Sequence, residues 1–577
     1  MAAILGKLFR RKRVDVIIAE GETLGYRKSL TWIDLTMLGL GGIIGAGIFA
    51  LTGSAARNYA GPGIIISFVI AGIVSAFAAF TYSELSALIP ISGSAYTFTY
   101  ATLGELLAWI IGWDLILEYL VSAAAVAVAW STYFEAFFVD TFGIGFNVGP
   151  TTVCGGNDIT DGTTNCFYKG FRFEVSQPPI VWDEPSGSII RNCKCLDGSD
   201  PCLDSNPTRA CGVLCLPGMA LCIALTVLLV VGMKESARFN NFIVCLKIVV
   251  ILMFIFAGIK WINPDNYKPF IPDPIGQQYG SQGIFRGAQV VFFAYIGFDA
   301  VSTVAQEASN PQRDMPIGIC LSLLISTGLY ICVCAVMVGL MKYTEIPSNA
   351  PISAVIGVTG LKWMQSIVDI GAICGLGSVT LVSLMGQPRI FNAMARDGLL
   401  PAFFAKMHPK FHTPIVTTII TGVLATIAAG LLPVDILANL TSIGTLLAFF
   451  LVSGGVLILR YTDHNRYRPF RVGGQGMAGT IIGPIVALLG CVTSMGLIVL
   501  SGNRETAIRV GVWLAIGFVV YFGYAFWHSN LAKHPDWYLD NSKHPELQLA
   551  AHTATSVVRG ENKEMGGADQ MPPMVGH

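Results

Sequence analysis

Two stretches of this sequence place backbone-loosening residues where an apolar helix would otherwise run unbroken. Gly39, Gly41, Gly42, Gly45 and Gly47 crowd the segment from Leu38 to Phe49, and each glycine costs a helix about 1 kcal/mol against alanine. Further along, Phe292-Phe293-Ala294-Tyr295-Ile296-Gly297-Phe298-Asp299 sets a glycine and an acid in mid-stretch. An unwound turn in either place exposes main-chain groups. Amides at a restarting helix can hold a carboxylate, and freed carbonyls can receive an ammonium. Close helix packing of the Gly-x-x-x-Gly kind, which Gly41 and Gly45 match, reads the first stretch equally well.

The second set of reactive residues is ionisable and lies in apolar surroundings, where a charge is costly and faces a cavity or a partner. Lys247, in Asn241-Phe-Ile-Val-Cys-Leu-Lys-Ile248, is the one basic residue expected deep within a span. Its ordinary reading is a lysine snorkelling to the nearer membrane edge. Burial would instead make its charge responsive to pH and conformation. Glu118 is its expected counter-charge at similar depth, and Asp114, one turn earlier on the same face, is the alternative. Asp299 and Asp369 are candidates to read a cationic substrate side chain, as is Glu105, although Glu105 opens its helix and could simply cap it. Asp369 also fits an interhelical hydrogen bond.

The elements that must position these residues are membrane helices. Of the 577 residues 53% are hydrophobic and 12% charged, with a mean hydropathy of +0.62, whereas a soluble domain carries about 25% charged residues. A crossing needs about 20 apolar residues. Spans are expected near 32–51, 62–86, 105–138, 216–233, 240–261, 284–305, 316–341, 363–392, 414–431, 436–460, 480–501 and 506–528. Lys and Arg fall in excess on the side of the basic amino-terminal cluster, which places both termini in the cytosol by the positive-inside rule. The chain then divides into a basic cytosolic stretch 1–31, three spans in 32–138, a cysteine-rich extracytosolic loop 139–215, nine spans in 216–528, and a mostly disordered cytosolic tail 529–577. Seven of the 14 cysteines lie in that loop, where disulfides and irregular structure are expected.

Several function classes are excluded. The equal numbers of acidic and basic residues, 36 each, give no global case for nucleic acid. No phosphate-binding Gly-x-x-x-x-Gly-Lys-Ser/Thr loop and no His-Glu-x-x-His occur. Cys193-Lys194-Cys195 is a poor zinc site. No enzyme activity, cofactor or metal is expected. A channel lacks its filter sequence and its arginine ladder.

The two interrupted spans are the first and the sixth. A repeat of five spans puts its second copy upside down, and paired broken helices in inverted repeats point to a transporter's binding site. Five motifs now carry a resemblance: Gly42-Ile-Ile-Gly-Ala-Gly-Ile-Phe49, Gly93-Ser-Ala-Tyr96, Phe293-Ala-Tyr-Ile-Gly-Phe-Asp-Ala300, Glu307-Ala-Ser-Asn-Pro-Gln-Arg-Asp314 and Met394-Ala-Arg-Asp-Gly-Leu-Leu-Pro401. In that order, from about Leu30 to His528 outside the cysteine loop, the chain resembles the cationic amino acid transporter family of the amino acid, polyamine and organocation superfamily.

The resemblance implies an all-α membrane protein of about twelve helices: a five-plus-five inverted repeat with helices one and six broken, then two more. It implies alternating access with an amino acid as substrate. Ile43, Ile44, Gly45, Ala46 and Gly47 would hold the carboxylate, and Phe293, Ala294, Tyr295 and Ile296 the amino group, with Phe293 the gate over bound substrate. In proton-dependent relatives a lysine at the place of Lys247 stands where sodium binds in sodium-coupled members, which implies protons as the coupling ion. The charges of Asn310-Pro-Gln-Arg-Asp314 and of Arg389 to Asp397 either gate the cytosolic side or anchor it. Arginine or lysine is the expected cargo, and a neutral carrier or an amino acid sensor without flux is the alternative. No heavy-chain partner is expected. The plasma membrane is the expected location, with a vacuolar or lysosomal membrane the alternative.

Overall fold

The computed structural model describes residues 8–22, 28–142, 152–154, 166–168, 180–183, 188–191, 215–231, 236–274, 278–347, 350–406, 414–432, 434–463, 466–500 and 504–533. Four of the seven loop cysteines of the expected disulfide framework, Cys193, Cys195, Cys202 and Cys211, and the tail beyond residue 533 lie outside these residues. So does most of the loop, but where irregular structure was expected it holds two short antiparallel ribbons. Thr152–Cys154 pairs with Cys166–Tyr168, and Ile180–Asp183 pairs with Ser188–Arg191.

Among the described residues nine helical stretches are long and apolar enough to cross a membrane, and two shorter apolar helices, Leu216–Val230 and Ile415–Leu431, accompany them. The first stretch, Trp32–Leu88, is 57 residues long and breaks at Gly61, whose φ of +58° no ordinary residue adopts with ease. It therefore makes two crossings, and the described residues hold twelve. The protein is an all-α membrane protein.

The first span starts at a capping box: the Thr31 hydroxyl accepts from Asp34 N and Asp34 Oδ2 accepts from Thr31 N at 3.0 Å. Helix Trp32–Ile43 comes next, and after the break the chain runs on through Gly47–Leu51, Thr52–Ala55 and Ala56–Ala60. The second to fifth spans are Ile64–Leu88, Glu105–Phe142, Leu216–Val231 and Ser236–Ile259. The sixth is Gly280–Phe292 continued by Phe293–Tyr295 and, after its own break, Asp299–Glu307. Pro311–Leu340, Lys362–Arg396, Ile415–Leu431, Val434–Thr462, Met477–Leu500 and Arg504–Val520 are the seventh to twelfth. Four of the five pairs of spans five positions apart pack together: the second on the seventh, the third on the eighth, the fourth on the ninth, and the first on the sixth at their breaks. That pairing is the imprint of a five-span repeat.

Three short helices, Val14–Glu22, Ser94–Thr102 and Pro351–Gly357, were not expected. The first lies in a stretch read only as a basic terminus. It packs on the same face as the other described end of the chain, since Arg10 Nη1 donates to Leu531 O at 3.3 Å.

One polar cluster staples the bundle. Glu84, at the end of the second span, accepts from Arg460 Nε at 3.0 Å and from Val472 N at 3.0 Å. Arg460 Nη2 closes the second arm of the fork, and Arg468 Nε stands 3.4 Å from the same carboxylate. Gly483 leaves room for the guanidinium, since any side chain there would occupy its place. The carboxylate and both guanidinium groups are at most 4% exposed, so removing the acid strands two cations. We expect Glu84→Ala to cost about 3–5 kcal/mol, read as a loss of monodisperse protein after heating in detergent; an unchanged melting profile would refute it.

Candidate functional site

The five glycines of the first span each meet a different neighbour. A Cβ at Gly39 would strike Ser322 of the seventh span, at Gly41 Asn240 of the fifth, and at Gly45 Val379 of the eighth. At Gly42 it would come within 3.0 Å of Gly297 O, and at Gly47 it would overlap the Ala294 backbone. Unwinding and close packing are therefore both present. Ile44 leaves the helix with φ −74° and ψ 93°, and the Ile48 amide turns to Gly45 O at 3.2 Å. In the sixth span Ile296 is extended and Gly297 sits at φ +124°. Asp299 then ties the break: its Oδ1 accepts from Gly297 N at 3.2 Å and its Oδ2 from Tyr119 Oη at 3.0 Å.

Lys247 is completely buried. Its Nζ donates to Gly41 O at 2.8 Å and Ile44 O at 2.9 Å, and lies 3.3 Å from Ser378 Oγ. The ammonium thus sits on carbonyls at the break, as a bound cation would. The expected ion pair with Glu118 does not form among the described residues. Similar depth fixed only one coordinate, and the lysine points between the first and eighth spans.

A cavity of about 20 Å³ lies between the two breaks and the third and eighth spans. Of the residues singled out in the sequence, Ile43, Gly45, Ala46, Gly47, Phe293, Ile296, Asp299 and Glu118 line it. Ile44, Ala294, Tyr295, Lys247 and Asp369 do not. Tyr295 turns outward, its hydroxyl donating to Phe68 O at 2.8 Å. Asp369 is buried beside Tyr133. Glu105 is spent at the end of the twelfth span, accepting from Tyr521 Oη at 3.1 Å and Ser529 Oγ at 2.7 Å. No Lys, Arg or His is among the lining residues, which otherwise include Val126, Val379, Val382, Ser122 and Ser383. The volume holds a water molecule, so an amino acid enters only if the walls part.

Sequence reading missed Tyr330 of the seventh span. Its hydroxyl lies 2.7 Å from Ile43 O and 3.0 Å from Ala294 O, one proton shared between the two breaks. The available signal was a tyrosine in mid-span, whose hydroxyl must find a partner when buried.

A sequence profile of the family described as Amino acid permease matches residues 30–523. The chain is 40% identical over 528 residues to the branched-chain amino acid permease of Bacillus subtilis, covering 91% of this chain and 99% of that one. It is 38% identical to the methylthioribose transporter of the same organism, covering 92% and 100% of the two chains. It is 35% identical to the vacuolar cationic amino acid transporter 4 of Arabidopsis thaliana, over 79% and 68%.

Proposed function

Because the chain belongs to the amino acid permease family, we propose that it carries amino acids with a cationic side chain by alternating access, coupled to protons through Lys247. The observation that carries the substrate class is a pair of carboxyl groups, Glu118 and Asp299, lining a cavity without a basic lining residue. An entering guanidinium or ammonium finds its counter-charge there. Asp299 is already engaged through both oxygens by Gly297 N and Tyr119, whereas Glu118 meets Thr445 and keeps Oε2 without a hydrogen-bond partner among the described residues, which leaves Glu118 as the group that discriminates.

In this reading the amides of Gly45 to Gly47 hold the substrate carboxylate. The amino group shares the carbonyls of Phe293 and Ala294, which now accept from Ile296 N and Tyr330; a carbonyl oxygen accepts twice. Phe293, at the cavity wall, closes over the substrate. Asp369 lies outside the present cavity and reaches the substrate only when the walls part. The face bearing both termini is cytosolic, by the excess of basic residues there, and the membrane is the plasma membrane.

A neutral carrier is the second reading. It is favoured by the Ile43, Val126, Ile296, Val379 and Val382 lining and by the branched-chain permease among the relatives.

Uptake of labelled arginine and leucine into proteoliposomes separates the two. We expect arginine to be accumulated under an inward proton gradient and Glu118→Gln to lower arginine uptake about tenfold or more, the scale of one charged hydrogen bond, with little change in residual leucine uptake. Leucine preferred by the wild type, and unaltered by the variant, would establish the neutral reading. Binding without flux would make the protein a sensor.

A further inference from the structure

The amino-terminal segment is bonded to the third, sixth and eighth spans on the face bearing the termini. Lys12, two residues ahead of helix Val14–Glu22, has its Nζ 2.6 Å from Glu20 Oε2 in that helix and 2.6 Å from Asp397 Oδ1, just past the end of the eighth span. Tyr96 Oη donates to the other oxygen of Asp397 at 2.6 Å. The backbone of the same stretch engages the start of the third span, Glu105 N donating to Arg10 O at 2.9 Å. Its far end holds the sixth span: Gln306 Nε2 donates to Gly21 O at 2.9 Å. Val14 and Ile17 are buried between these anchors, and the Lys12 side chain is 4% exposed. Burial works against the charged form of Lys12, yet Asp397 and Glu20 outweigh it and hold the ammonium above its ordinary range.

We propose that residues 8–22 are a latch that keeps this face of the transporter closed, with Lys12 as its pin and Asp397 as the catch. The half-helix Asp299–Glu307 is the wall that lines the exit on this face. It is tied to the eighth span by Arg389 to Glu307 at 2.9 Å and to the latch by Gln306. The latch in turn is tied to the eighth and third spans. A swing of that half-helix away from those spans must therefore break the Gln306 bond or drag the latch off Asp397. Closed and open states differ by whole contacts, so losing the pin shifts the population toward the open state. Lys12 touches no substrate and acts through position.

The inference rests on the alternating-access reading, and two readouts keep the failures apart. In one, Ser302, which is buried in that half-helix, is replaced by cysteine. Its alkylation by a membrane-impermeant maleimide added to the terminus-bearing face is followed by peptide mass spectrometry. In the other, arginine and leucine uptake are measured in parallel. Lys12→Ala and Asp397→Asn should each speed alkylation about tenfold, the double variant should be no faster than either single one, and Lys12→Arg should stay close to the parent. Parent-like alkylation in Lys12→Ala, with uptake of either amino acid intact in the parent, would overturn the latch. Absence of flux for both in the parent would overturn the transport reading first. A drop in yield common to Lys12→Ala and Lys12→Arg would mark a purely structural role and also count against the latch.

Discussion

Gly297→Ala should abolish uptake while leaving the protein in the membrane. The new Cβ would stand 2.6 Å from Gly42 C and 2.7 Å from Gly42 O, both main-chain atoms that no rotamer can move. At φ +124° the alanine would be strained even in open space, by about 1–3 kcal/mol. The two breaks must then separate. A displacement near 1 Å in a positioning element costs on the order of a hundredfold in rate, and here both halves of the site would shift. Gly42→Ala offers the graded control, because its Cβ meets Gly297 O at 3.0 Å and has no such φ penalty. We expect intermediate uptake from it. Initial rates in proteoliposomes, normalised to monodisperse protein, decide the matter, and Gly297→Ala within twofold of the parent would show that the approach of the breaks does not set the rate.

The second large effect is expected at Lys247. Removing its ammonium strands the carbonyls of Gly41 and Ile44, each otherwise held within 3 Å, and an unsatisfied buried polar group costs about 1–3 kcal/mol. Lys247→Met keeps most of the volume and loses the donor, so it separates packing from charge. Accumulation driven by a proton gradient should vanish in the methionine variant. Counterflow, which needs no gradient, should persist at a reduced rate. A methionine variant that still concentrates substrate against its gradient would move proton coupling to other groups.

The crossings were legible because each is a run of about 20 apolar residues, and the sixth span announced its break through Gly297 and Asp299. Lys247 stood out as a deep basic residue. What could not be read was direction. A break resets the rotation of the chain, so the helical period on one side no longer tells which way residues on the other side face. Phe293 and Tyr295, two positions apart on one helical turn, face different ways, so one lines the cavity and the other turns to Phe68 O, although both were expected at the substrate's amino group. Depth alone likewise paired Lys247 with Glu118, where the structure gives the lysine to the carbonyls of the first span. The short helices at 14–22 and 94–102 escaped notice because neither spans anything: Ser94–Thr102 is nine residues of mixed polarity, and its burial comes from tertiary contacts.

Tyr330 gives the two breaks a common tether. One hydroxyl proton lies between Ile43 O and Ala294 O, so the seventh span is bound at any instant to one break and near the other. In mechanical terms this limits how far the broken segments drift apart while leaving each free to rotate about the oxygen. A rocking motion keeps such a tether and a piston motion does not. Any separation of the first and sixth spans at this point must therefore break one of these two contacts.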